Sequence, residues 1–141
     1  MAIRISACRD DHLEGLDALW RQCFADDPLR EAAGLTAPAG HPSRSALLLV
    51  ASAGKEVIGS ILAGYDGHRG WLYALAVLPA YRFDQVATNL VIEAEKQLAD
   101  IGCTKINLQI PTSNARARQF YRVLGYATED RISMSKRLEL S

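Results

Sequence analysis

Apolar and polar residues alternate along this chain with two different periods, and the change from one to the other marks its elements. Ile3 to Ser6 alternates like a short first strand. Asp11-x-x-Glu14 then reads as a capping box opening a helix whose apolar side carries Leu13, Leu16, Trp20, Cys23 and Phe24. Asp27-Pro28 interrupts it, and the stretch to Pro42 is poorly patterned, with Leu29 to Ala33 as a second short helix or loop. Ala46 to Ala51 is an unbroken aliphatic run, and Ala53-Gly54-Lys55-Glu56 a turn. Val57 to Tyr65 is the returning strand, its Gly59 and Gly64 marking bulges or close packing. After the turn Asp66 to Gly70, Trp71 to Val77 makes a third strand of a meander, ended by Pro79.

Leu90, Val91, Ala94, Leu98 and Ile101 then trace an amphipathic helix closed by Gly102. Lys105 to Ile110 is a strand stopped by Pro111. Asn114 caps a helix bearing Ala117, Phe120 and Leu124, with Gly125 at its end. Ile132 to Leu138 alternates as a last strand. The order β-α-(α)-β-β-β-α-β-α-β predicts an α/β (α+β) fold, a mixed sheet with helices packed on it.

A chain of 141 residues with 49% hydrophobic content fits one domain, residues 1–141, able to bury a core. Sixteen basic and sixteen acidic residues cancel, which argues against nucleic-acid binding through bulk charge. No window approaches the roughly 18 to 20 apolar residues that cross a bilayer, so no membrane association is expected. Met1 to Ser6 is too short and polar for a secretory signal. Cys8, Cys23 and Cys103 are odd in number and widely spaced, which fits reduced thiols in a cytoplasmic protein better than disulfides or a metal site. His12, His41 and His68 fall at expected surface or turn positions, and none pairs at metal-ligand spacing.

Two segments could carry chemistry. The helix after Val77 begins a crossover unit, and its first amides, with Arg82 beside them, could hold an anion such as a pyrophosphate. Every crossover helix has such an end, so this feature alone is weak. Asn114 is either a plain N-cap or a site residue, and Tyr121 either a half-buried packing aromatic or a hydroxyl held at the helix edge.

Taken together, the strand Leu72-Tyr73-Ala74-Leu75-Ala76-Val77 with Leu78-Pro79-Ala80-Tyr81-Arg82, and Asn114-x-x-Ala117-x-x-Phe120-Tyr121-x-x-Leu124-Gly125-Tyr126, resemble the two signatures of the GNAT superfamily of N-acetyltransferases. The nearest likeness is to its small, single-domain bacterial members. The resemblance implies a central, mostly antiparallel, splayed sheet flanked by helices. It also implies acetyl-CoA as co-substrate and transfer of its acetyl group, by direct attack, to a primary amine of a small molecule, an amino-acid-like compound or a peptide N-terminus. Homodimers are common in the family.

Carried over by position, the cofactor-binding residues are Leu75, Val77, Arg82, Phe83, Asp84, Gln85, Val86, Ala87, Asn114 and Tyr121. The catalytic ones are Val77, through its N–H at the thioester carbonyl, and Tyr121, as proton donor to the departing thiolate. The family's phosphate loop is R/Q-x-x-G-x-G/A. Here it reads Arg82-Phe83-Asp84-Gln85-Val86-Ala87, with Gln85 at the central glycine, and weaker cofactor binding is the expectation. Relatives acting on protein N-termini or histones carry a glutamate on the central strands, where this chain has Trp71 and Gln109. Asp66, Tyr73 or an ordered water is left as general base, Asp66 being more readily read as a turn former. By alternation, Tyr73 is expected on the same side as Trp71, Leu75 and Val77. The rival expectation is a GNAT-fold module that binds CoA or another ligand with weak turnover or none.

Overall fold

The computed structural model describes residues 2–25, 46–82 and 84–139. The expected short helix at Leu29 to Ala33, His41 and the loop residue Phe83 lie outside them. The chain divides into two compact units, Met1–Leu108 and Gln109–Ser141.

The first unit holds a five-stranded sheet in the order β1 (Ile3–Ala7), β2 (Ala46–Ala53), β3 (Glu56–Tyr65), β4 (Gly70–Val77) and β5 (Ile106–Leu108). Four strands form an antiparallel meander, and β5 pairs parallel to β4 after a crossover through a helix. The aliphatic run of β2 is central, which is why it does not alternate: Leu49, Val50 and Ala51 are all buried. Helix α1 (Leu13–Cys23) covers one face of the sheet. Its Leu16, Leu19 and Trp20 are buried, and Leu16 and Trp20 pack with Val50, Val57 and Ala76.

Helix α2 (Val86–Asp100) covers the other face with Val86, Leu90, Val91, Ala94 and Leu98. Gly59 is a point of close approach. A Cβ there would lie 3.2 Å from Leu90 Cδ1 and from Val86 Cγ1, so the small residue sets how near α2 lies to the sheet. The α2 helix ends at Gly102 (φ +99°), whose amide donates to Ala99 O while that of Cys103 donates to Leu98 O.

The second unit carries α3 (Ala115–Val123). Asn114 Oδ1 accepts from the Ala117 amide at 3.1 Å, so Asn114 is an N-cap in fact. Its far end repeats the α2 ending: Gly125 (φ +99°) donates to Arg122 O and Tyr126 to Tyr121 O, and the Tyr121 and Tyr126 rings meet edge to face at 5.4 Å.

Three expectations need correcting. The start of α1 is not capped by Asp11 and Glu14. A short 3₁₀ turn, Asp10–His12, precedes it, in which the Arg9 amide donates to His12 Nδ1 at 3.0 Å and Asp11 instead pairs with the exposed Arg9 guanidinium at 3.1 Å. His12 is therefore buried, not a surface residue. Last, β5 stops at Leu108 and residues 132–138 form no strand: Ile132 and Met134 are each 89% exposed. Alternation builds a strand only where another backbone offers the ladder, and no such pairing forms here among the described residues.

Candidate active site

The β4 strand is paired on both edges only at its start. Gly70, Trp71 and Leu72 face Ile106, Asn107 and Leu108, and the Gly70 amide donates to Lys105 O at 2.8 Å. From Tyr73 to Val77 the β5 side of β4 has no ladder partner among the described residues, since β5 ends at Leu108. This is the splay of the sheet.

The direction of the amides along that open edge follows from one bond. The Leu78 amide donates to Ile58 O on β3 at 2.8 Å. Successive amides of a strand point to opposite edges, so the N–H of Val77 points outward, away from β3. The Val77 carbonyl, on the same side, accepts from Arg82 Nε at 3.4 Å and lies 4.0 Å from the Cys23 thiol. Burial pushes the Cys23 thiol up, against a smaller opposing effect of the Arg82 charge, so it stays a protonated packing group.

The alternation along β4 is broken by a bulge. The register shifts between Ser60 and Leu62, so that Ala74 and Leu75 together oppose Ile61, and Ala74 has φ +51°. The expectation that Tyr73 shares a face with Val77 is overturned by this extra residue. Tyr73 pairs with Leu62, and Ala74 and Ala76 pack toward α1 beside it, whereas Val77 pairs with Gly59 on the α2 face. Tyr73 is half exposed, and burial followed by the nearby Asp66 charge raises its phenol pKa, which keeps it protonated and unfit as a base.

Asp66 is a turn former. Its Oδ1 accepts from the His68 and Arg69 amides at 2.8 and 2.7 Å, and these two donors, Arg69 foremost, hold its carboxyl below the usual range. Gln109 donates to Ser133 Oγ at 2.6 Å.

The loop between β4 and α2 is the one whose sequence departs from glycine. Gln85 nevertheless takes the left-handed conformation, φ 60° and ψ 22°, as the residue preceding Val86. Its side chain is exposed and makes no cap, while its carbonyl accepts from the Asn89 amide at 3.0 Å. Positive φ is a conformation glycine adopts without strain, and the amides of Val86, Ala87 and Thr88 open the helix without intrahelical acceptors. Arg82 and Asp84 are exposed beside them.

Of the residues singled out from the sequence, Leu75, Val77, Arg82, Asp84, Gln85, Val86 and Ala87 lie in the first unit, along the open edge and the start of α2. Asn114 and Tyr121 lie on α3 in the second. Tyr121 is buried, its ring 5.0 Å from that of Phe120, and burial pushes its phenol up to about 12. The bulge at Ala74 was not legible beforehand, because alanine carries no signal for positive φ.

Comparison with known proteins gives one answer at three levels. Residues 7–126 match the model of the Acetyltransferase (GNAT) family. An acetyltransferase of Pectobacterium atrosepticum is 37% identical over 139 residues, covering 98% of this chain and 96% of its own. Among solved structures, the aminoglycoside 6'-N-acetyltransferase AAC(6')-IG of Acinetobacter haemolyticus is 26% identical with a TM-score of 0.74, covering 96% of this chain and 99% of its own. AAC(6')-Iy, solved with the bisubstrate analogue CoA-S-monomethyl-acetylneamine, superimposes with a TM-score of 0.80 at 19% identity, over 98% and 99% of the two chains. On the extent of these matches the chain belongs to the GNAT family of acetyltransferases.

Proposed function

We propose that the protein transfers the acetyl group of acetyl-CoA to a primary amine of a small molecule, an amino-acid-like compound or a peptide N-terminus, by direct attack and without a covalent enzyme intermediate. The observation that supports this best is the outward-pointing Val77 amide on the unpaired edge of β4.

The residues present fit a CoA-type ligand. The left-handed Gln85 keeps its own side chain in solvent and leaves the first amides of α2 clear for a diphosphate. The open edge from Tyr73 to Val77 offers backbone partners to an extended amide-bearing arm such as pantetheine. Val77 N–H donates to the thioester carbonyl oxygen as negative charge builds there, a donor of the kind whose loss costs about 3 to 4 kcal/mol of barrier.

Tyr121 is the proton donor for the leaving thiolate. With its pKa near 12 the phenol is fully protonated at neutral pH. A thiol has a pKa of about 8.5 in water, so transfer from this phenol to a free thiolate runs uphill. Asp66 and Tyr73 are both poor bases as they stand, so the amine loses its proton to water.

The second reading is a module that binds CoA with little turnover. The observation favouring it is the absence of a carboxylate at Trp71 and Gln109. Titration calorimetry with acetyl-CoA, then thiol release with a panel of amines that includes an aminoglycoside, a polyamine, free amino acids and a short peptide, decides between them. No heat at millimolar acetyl-CoA removes the first reading and leaves the second only with a ligand other than CoA. Binding without thiol release for any amine removes the first.

A further inference from the structure

We propose that Ser60, oriented by Trp20, is a positioning residue for the Val77 amide. The proposal rests on the acetyl-transfer reading for what that amide does, and on geometry alone for how it is aimed.

The phase of β4 carries the argument. The Gly70 amide points to β5, since it donates to Lys105 O. In an unbroken strand the amides of residues 72, 74, 76 and 78 would point the same way, and Val77 would spend its N–H on β3. Yet the Leu78 amide donates to Ile58 O on β3, so the phase has inverted in between. The inversion is the single extra residue of the bulge at Ala74 and Leu75. Without it the outward amide would belong to a different residue.

What holds the bulge is a buried chain of two hydrogen bonds. Ser60 Oγ donates to Ala74 O at 2.9 Å, and Trp20 Nε1 donates to Ser60 Oγ at 2.9 Å. The indole can only donate, so the hydroxyl accepts from it and commits its own proton to the Ala74 carbonyl. Ser60 is 0% exposed and Trp20 1%, so no water competes. Ala74 sits at φ +51°, a conformation an alanine adopts only when its surroundings impose it. The hydroxyl of Ser60 is the group that imposes it, from the strand opposite.

The test is made on the full chain, by amide NMR and by calorimetry with two probes, acetyl-CoA and adenosine 3′,5′-bisphosphate, which lacks the pantetheine arm. Ser60→Ala is expected to shift the Val77 amide resonance and to speed exchange of the Leu78 amide about tenfold. It is expected to weaken acetyl-CoA about tenfold while leaving the bisphosphate unchanged. Ser60→Thr, which keeps the hydroxyl, restores wild-type values. Adding Ala74→Gly to Ser60→Ala restores them in part, since glycine holds positive φ unaided. Should Ser60→Ala fail to fold, Trp20→Phe releases the hydroxyl and gives the same pattern in smaller measure. The proposal is overturned if the Val77 and Leu78 amides are unmoved in the folded variant, or if both probes weaken alike. If the wild-type chain binds no acetyl-CoA, the acetyl-transfer reading falls, and the amide data still decide the role of Ser60.

Discussion

The amide of Leu78 donates to the carbonyl of Ile58 at 2.8 Å, and that bond determines where the N–H of the preceding residue is aimed. Because Val77 N–H takes no part in the ladder with β3, proline at this position removes the donor without breaking a sheet bond. Val77→Pro is expected to lower kcat by 10²- to 10³-fold, while the dissociation constant for CoA changes little. Single-turnover thiol release and calorimetry measure the two.

Gln85 stands at φ 60° where glycine is free of strain. Gln85→Gly is expected to stabilise the fold by about 0.5 to 1 kcal/mol with acetyl-CoA affinity equal or higher, and Gln85→Val to destabilise it. Urea denaturation of the three proteins checks the order.

A Cβ on Gly70 would lie 2.8 Å from Cys103 Sγ, and Cys103 is buried with its thiol directed at Lys105 O. Gly70→Ala is expected to cost about 1 to 3 kcal/mol through overpacking where β4 meets β5. The double variant Gly70→Ala, Cys103→Ala recovers most of it, and a double-mutant cycle in urea gives the coupling.

Tyr121→Phe is expected to reduce kcat by 10²- to 10⁴-fold under the proposed role. The same substitution has a signature in stability. The phenol titrates near 12 when folded and near 10 when unfolded, so between those values the unfolded chain has lost its proton while the native one keeps it. Stability from this group is complete below pH 10 and falls by about 2 to 3 kcal/mol as pH rises to 12. Denaturation from pH 9 to 12 should show that extra decline in the wild type and not in Tyr121→Phe.

With Asp66 engaged by two backbone amides, Asp66→Asn keeps an oxygen for them and is expected to leave kcat/KM within about twofold, because no catalytic proton passes through that carboxylate. The rate should rise with pH toward the amine's own pKa and show no inflection between 4 and 7. A loss beyond about tenfold in Asp66→Asn would make Asp66 the base.

Much of this architecture could be read from the residues. The meander, both long helices beside the sheet and the cap at Asn114 follow from apolar spacing and from Gly102 and Gly125, residues whose backbone roles are few. What escaped notice depends on partners far away in the chain. Ala74 gives no sign of a bulge because its strain is offset by a hydroxyl on the next strand, so the face of Tyr73 came out wrong. His12 caps through a ring nitrogen that no capping pattern includes. Ile132, Met134 and Leu138 fall on one side of the alternation and still build no strand, since a period describes one backbone and pairing needs two. Gln85 gives no sign of its left-handed backbone either, since glutamine seldom adopts positive φ.

The short parallel ladder between β4 and β5 bears on how the molecule comes to be built. Each of the first four strands meets the next through neighbours in the sheet, and β2, β3 and β4 are joined by turns only a few residues long, so hairpin closure among them is fast. The fifth strand follows the whole of α2 in the chain and secures three residue pairs. Unzipping should therefore begin at Ile106–Leu108, where amide protection is expected to be weakest within the sheet, long before the meander gives way.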